Sequence, residues 1–154
     1  MAVTLRLTSD GRVEVDAYLI SERHGVRGSV AFVVDTGSQK TILGARDAET
    51  LGFPAQTFPA YTGPTMFGVG GKGRPLEVGR CQIVLGGGEL VGEVDMIYFA
   101  PERETKVKAR APGVRQTRQK VFALPSLLGT DFLSQRHCSL VIDWRSRTGE
   151  IRGP

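Results

Sequence analysis

The sequence predicts a mostly β fold carrying one or two short helices. Apolar and polar positions alternate in Val3, Leu5 and Leu7, and again in Val13, Val15, Ala17 and Leu19, as expected of half-buried strands. Glycine supplies 20 of the 154 residues, which suits a turn-rich β protein. At this length the chain is expected to form one domain, 1–154, large enough to bury a sizeable core.

The elements follow in order. The two alternating segments flank Ser9-Asp10-Gly11 and read as a β-hairpin. A turn at His24-Gly25 leads to Val30–Val34, a continuous apolar run that fits an interior strand. Thr41-Ile42-Leu43 is a short strand, and Ala45–Leu51 a short helix stopped by Gly52 with Pro54 beyond. Residues 54–75 are rich in Gly and Pro and lack periodicity. Pro75–Leu85 and Leu90–Phe99 form a long hairpin around Gly86-Gly87-Gly88. Val121–Leu124 reads as a strand and Thr130–Arg136 as a short helix opened by Thr130 or Asp131. Cys138–Trp144 reads as a strand, and Glu150-Ile151-Arg152 as a last one after a Thr148-Gly149 turn. Trp144 is expected in the core or at an interface.

The formal net charge of +4 is unevenly spread. Residues 102–120 hold seven Lys or Arg against Glu102 and Glu104, a local +5 that exceeds the total for the chain. The basic character therefore belongs to one segment, 101–120, read as a solvated insertion of low apolar content. Basic patches attract nucleic acid by counterion release, but no aromatic residue is interleaved here for base stacking, so nucleic acid is not the expected partner. No apolar run approaches a membrane span, and the start lacks the apolar core of a signal peptide. Cys81 and Cys138 then read as reduced thiols, and the chain as cytoplasmic.

The chemistry concentrates in Phe32-Val33-Val34-Asp35-Thr36-Gly37-Ser38. An apolar strand delivers one carboxylate into a tight turn. An isolated buried carboxylate is costly to ionise, so one at this place needs hydrogen bonds or a partner, and often has a chemical role. The alternative is an Asp that merely caps its own turn. Gly68-Val69-Gly70-Gly71-Lys72-Gly73 matches G-x-G-x-x-G, but a strand rather than a helix follows it, which argues against a dinucleotide site and for a hairpin tip. His24 and His137 have no metal-ligand spacing with each other or with the cysteines, and neither metal nor cofactor is expected.

A second motif follows: Leu127-Leu128-Gly129-Thr130-Asp131-Phe132-Leu133, its Asp131 standing 96 positions after Asp35. Together the two motifs resemble those of retropepsin-like aspartic proteases. The nearest likeness is to the protease-like domain of eukaryotic DNA-damage-inducible proteins, through Ser38-Gln39-Lys40-Thr41-Ile42-Leu43 and Arg136-His137-Cys138-Ser139-Leu140-Val141-Ile142-Asp143. It covers roughly residues 12 to 152.

The resemblance implies a single-lobe, closed β-barrel-like acid protease fold and an endopeptidase acting on peptide or protein substrates. Asp35 would be catalytic. A chain with one Asp-Thr-Gly would need a second copy of itself, hence a homodimer. Thr36, Gly37 and Ser38 would support the active turn, Thr36 across the dimer and Ser38 by a hydrogen bond to Asp35. Phe67, Gly68, Val69, Gly70 and Gly71 would form a flap over the substrate. Gly129 and Asp131 would be structural, Asp131 tying a short helix beneath the active turn. The family often has Arg where this chain has Thr130. The 101–120 insertion departs from the family pattern and would border the cleft. The alternative is a catalytically inactive peptide-binding or dimerisation module of the same fold.

Overall fold

The computed structural model describes residues 1–64, 75–103, 121–122 and 124–154. Among these, strands β1 (Ala2–Leu7), β2 (Val13–Ser21), β3 (Val26–Val34) and β4 (Ile42–Leu43) precede helix α1 (Ala45–Leu51). Strands β5 (Pro75–Leu85) and β6 (Leu90–Phe99) form the long hairpin. The two-residue strands β7 (Glu102–Arg103) and β8 (Val121–Phe122) pair antiparallel with each other. Then come β9 (Leu127–Leu128), helix α2 (Thr130–Gln135), β10 (Ser139–Asp143) and β11 (Thr148–Arg152).

Six strands close on themselves in the order β2-β3-β9-β4-β6-β5, with β5 returning to pair with β2. The fold is thus a closed β-barrel. Its interior follows from the period-2 patterns of the sequence. Val13, Val15, Ala17, Leu19 and Ser21 of β2 alternate inward, and Leu19, Phe32, Ile83, Leu85 and Leu128 are fully buried. Burial of each such large apolar side chain contributes about 1.5–3 kcal/mol. α1 is stopped by Gly52, whose left-handed φ of 82° favours glycine. α2 covers β6, its Phe132 ring lying where a Cβ on Gly92 would fall 2.6 Å away.

The expected hairpin of β1 and β2 exists but is short. Only Arg6↔Glu14 and Leu7↔Val13 pair. Beyond them β1 parts from β2, because β5 takes that edge of β2 from Ala17 onward, and β1 pairs instead with β11 from Ala2↔Arg152 to Leu5↔Gly149. β11 in turn pairs with β10. β11 begins at Thr148, so the last turn lies at 144–147 and not at Thr148-Gly149. Asp143 Oδ1 builds that turn by accepting from the Arg145 and Ser146 amides. Trp144 at its start is 59% exposed and is no core residue. Residues 65–74 and 104–120, which carry the expected flap and most of the basic insertion, lie outside the described residues.

Candidate active site

Asp35 stands where β3 ends. The chain then loops out to residue 41 and returns as β4. The two arms of this loop are not paired to each other. β9 lies between them, parallel to β3 through Val33↔Leu127 and Val34↔Leu128, and antiparallel to β4 through Ile42↔Leu127. A strand from the far end of the sequence therefore wedges the Asp35 loop open. The Asp35 N–H donates to Leu128 O at 3.1 Å, which fixes the residue against the wedge.

Inside the loop the carboxylate is held once. Asp35 Oδ1 accepts from Gly37 N at 2.8 Å, and Asp35 O accepts from Ser38 N at 3.2 Å. Asp35 is half-buried, while Thr36 and Gly37 are exposed. The other carboxylate oxygen has no hydrogen-bond partner among the described residues. The side chain is thus oriented by its own turn through Oδ1.

Ser38 does not take the role expected of it. Its hydroxyl donates to Lys40 O at 2.6 Å, which tightens the loop without reaching Asp35. Its carbonyl accepts from Thr130 N at 2.8 Å and Thr130 Oγ1 at 3.3 Å, so the start of α2 is bonded to the loop. Asp131, one residue on, accepts from Thr41 Oγ1 through Oδ1 at 2.7 Å and from Thr41 N through Oδ2 at 3.0 Å. Oδ1 also accepts from Phe132 N at 2.8 Å. Thr41 Oγ1 in turn accepts from Gly129 N at 3.1 Å. Gly129 admits no side chain: a Cβ would stand 2.6 Å from both C and O of Lys40. The two motifs, distant in sequence, are one hydrogen-bonded unit here.

No family model and no curated protein matches this chain. Among solved structures it is similar to a retropepsin-like aspartic protease from Rickettsia conorii, with a TM-score of 0.54 and 17% sequence identity over 98% of this chain and 89% of that one. The fold is retropepsin-like. At 17% identity the likeness lies in the fold.

Within the retropepsin-like fold, the structure brings Asp35, Thr36, Gly37, Ser38, Gly129 and Asp131 into one site. Phe67, Gly68, Val69, Gly70 and Gly71 lie outside the described residues. The described flanks of that segment do approach each other. Ala60 bridges Leu76, Glu77 N donates to Pro59 O at 2.8 Å, and Tyr61 N donates to Pro75 O at 3.1 Å. Sequence reasoning missed Ser126 and Asp47, which bond to each other at the start of the wedge. Nothing in Leu124-Pro125-Ser126 marks that serine as more than a loop residue.

No group of three or more His, Cys, Asp or Glu among the described residues is arranged to hold a metal ion. Among the described residues no helix is long and apolar enough to cross a membrane. Both cysteines are free, Cys81 buried and Cys138 half-buried.

Proposed function

We propose that this chain is an aspartic endopeptidase that works as a homodimer, with Asp35 from each copy forming the catalytic pair. The observation that carries the reading is the Asp35 loop: one carboxylate per chain, held by its own turn, with an oxygen unpartnered among the described residues and its neighbours Thr36 and Gly37 exposed. Two such carboxylates brought together share a proton, because close like charges do not both ionise; aspartic proteases are the standard example. The ionised one takes a proton from water as its oxygen bonds to the peptide carbonyl carbon. The protonated one supports the carbonyl oxygen, and a proton passes to the amide nitrogen as the C–N bond breaks. Thr36 and Gly37, exposed in the single copy, fit a contact between the two turns.

The sheet supports a place for the second copy. The terminal strands are already used: β1 lies between β2 and β11, and Val3, Leu5 and Ile151 are buried in the protomer's own core. β10 is the outermost strand, with Ser139, Val141, Asp143 and the adjoining Trp144 exposed. An edge unpaired among the described residues, with an exposed Val and Trp, suits pairing with another strand, and a second copy supplies one. The substrate is an extended peptide.

The test is cleavage of a broad peptide library over about pH 3 to 8, with and without pepstatin, by the chain and its Asp35→Asn variant. Pepstatin-sensitive cleavage absent from the variant supports the enzyme. Specific peptide binding with no cleavage at any pH replaces it with a binding module.

A further inference from the structure

β9 is two residues long, yet it separates β3 from β4 and receives the Asp35 N–H. So short a strand carries little register information of its own. After it, Gly129 and Asp131 are fastened to Thr41 and to the 38–40 loop. Before it stands Ser126, 1% exposed. The Ser126 carbonyl accepts from Val33 N at 2.9 Å, the last-but-one residue of β3. Its hydroxyl donates to Asp47 Oδ2 at 2.5 Å, in the first turn of α1, and accepts from Gly44 N at 2.9 Å, just after β4. One small residue is thereby bonded to both sides of the loop it helps to wedge, by its carbonyl to β3 and by its hydroxyl to the residues beyond β4. The backbones meet as closely as backbones can: a Cβ on Gly44 would fall 2.7 Å from Leu124 O and Ser126 N, and 2.9 Å from Pro125 C.

We propose that Ser126, Asp47 and Gly44 form a positioning clamp that sets the register of β9 and, through the Leu128 carbonyl, the orientation of Asp35. None of the three reaches the Asp35 carboxylate. They act through the wedge, at its N-terminal end, as Thr41 and Asp131 act at its C-terminal end. The hydroxyl is required in both directions at once, donor to Asp47 and acceptor from Gly44. Alanine removes both bonds and leaves a buried Gly44 N–H without its partner. The clamp itself stands on geometry alone; its consequence for turnover rests on the protease reading above.

Amide hydrogen exchange on the full chain tests it, with peptide cleavage measured alongside. Ser126→Ala is expected to speed exchange at Val33 and Asp35 by about ten-fold, the weight of one buried hydrogen bond, while the β10–β11 amides keep their protection. Asp47→Ala, on a half-buried position of a short helix, is expected to do the same and serves if Ser126→Ala does not fold. Asp47→Asn keeps an acceptor oxygen and is expected to stay close to the unmodified chain. In cleavage, kcat falls with KM little changed, since the variants alter the orientation of Asp35 and not the substrate contacts. Unchanged exchange at Val33 and Asp35 in both alanine variants overturns the clamp, as does equal acceleration across β10–β11, which is general loss of stability. If the exchange pattern holds and the unmodified chain cleaves nothing, the clamp stands and the protease reading fails. If the chain cleaves and exchange at Asp35 does not move, the clamp fails and the protease reading stands.

Discussion

Thr41 and Asp131 are joined twice across 90 positions of sequence, hydroxyl to Oδ1 at 2.7 Å and amide to Oδ2 at 3.0 Å. Both carboxylate oxygens are thus spent on one residue at the foot of the Asp35 loop. Asp131→Ala leaves Thr41 N–H, Thr41 Oγ1 and Phe132 N–H without their acceptor. A hydrogen bond contributes about 1 kcal/mol net, so the loss of three is expected to cost about 3 kcal/mol in urea unfolding. Asp131→Asn retains one acceptor and is expected to lose about half as much. A loss for Asp131→Ala under about 0.5 kcal/mol, the range of ordinary surface changes, refutes this.

Asp35→Asn is expected to abolish peptide cleavage while leaving the melting temperature within a few degrees. An amide oxygen still accepts from Gly37 N, so the turn survives, but the variant supplies no carboxylate to take a proton. Cleavage by the folded variant at the unmodified rate removes Asp35 from the mechanism.

Gly129→Ala is expected to destabilise by about 3 kcal/mol, the upper range for overpacking. The added methyl meets the backbone of Lys40 and the carbonyl of Ser38, which no side-chain rotation relieves. Gly11→Ala is a useful contrast, since nothing stands within 4 Å of its Cβ and only its φ of 87° opposes the change. Equal melting temperatures for Gly129→Ala and the unmodified chain would show that the loop and the wedge separate freely.

Activity per chain is expected to fall on dilution, and Val141→Lys to lower the association constant read by sedimentation without lowering the protomer's unfolding free energy. A charge on an edge position opposes strand pairing, and at Val141, 38% exposed, a long side chain can carry its charge out to solvent. Obligate dimers bury on the order of 2,000 Å² or more, so Trp144→Ala, at the end of the same edge, is expected to act in the same direction. Full activity from a strictly monomeric species contradicts the homodimer.

Burial pushes the Cys81 thiol up to about 11 from an ordinary 9.0, outweighing the opposing hydrogen bond with Ser21. Below the ordinary value both folded and unfolded chains keep the proton. Between the two values the unfolded chain releases it and the folded chain does not, so this group's contribution to stability falls as pH rises through that window. Cys81→Ala is expected to flatten the alkaline slope of unfolding free energy. At neutral pH a thiol reagent should modify half-buried Cys138 first, and Cys81 only on unfolding. Equal rates for the two thiols in the folded chain count against a sealed core around Cys81.

The elements that the sequence made legible are those fixed locally. α1 ends at Gly52 because a left-handed residue is needed there, and the β5–β6 hairpin turns at three glycines that all have positive φ. The tie from Asp131 to the Asp35 loop spans 90 positions and was expected only from the family resemblance of the two motifs. What was hidden depends on partners far away in the chain. Leu127-Leu128 reads only as an apolar pair until β3 and β4 are seen on either side of it. β1 looked like half of a hairpin because nothing in its own pattern shows that β5 will claim most of the facing edge of β2. The Ser38 hydroxyl turns to Lys40 O, a backbone partner inside its own loop that nothing in the motif marks. Ser126 is polar and sits beside a proline, the mark of a loop surface, yet the closeness of Gly44 makes it core.

The wedge also orders events in time. β3, β4 and the Asp35 turn between them are synthesised well before Leu127 and Leu128, the residues that must lie between their arms. Until that late segment arrives, β3 and β4 each present an unpaired edge, and the barrel has a gap where β9 belongs. Closing it requires contacts between residues some 90 positions apart, the slow kind in folding, since the loop-closure entropy comes before the reward. A nascent or partly folded chain therefore holds its carboxylate in a turn without a fixed direction. If Asp35 cuts peptides, the chain emerging from the ribosome passes through most of its synthesis unable to cut itself.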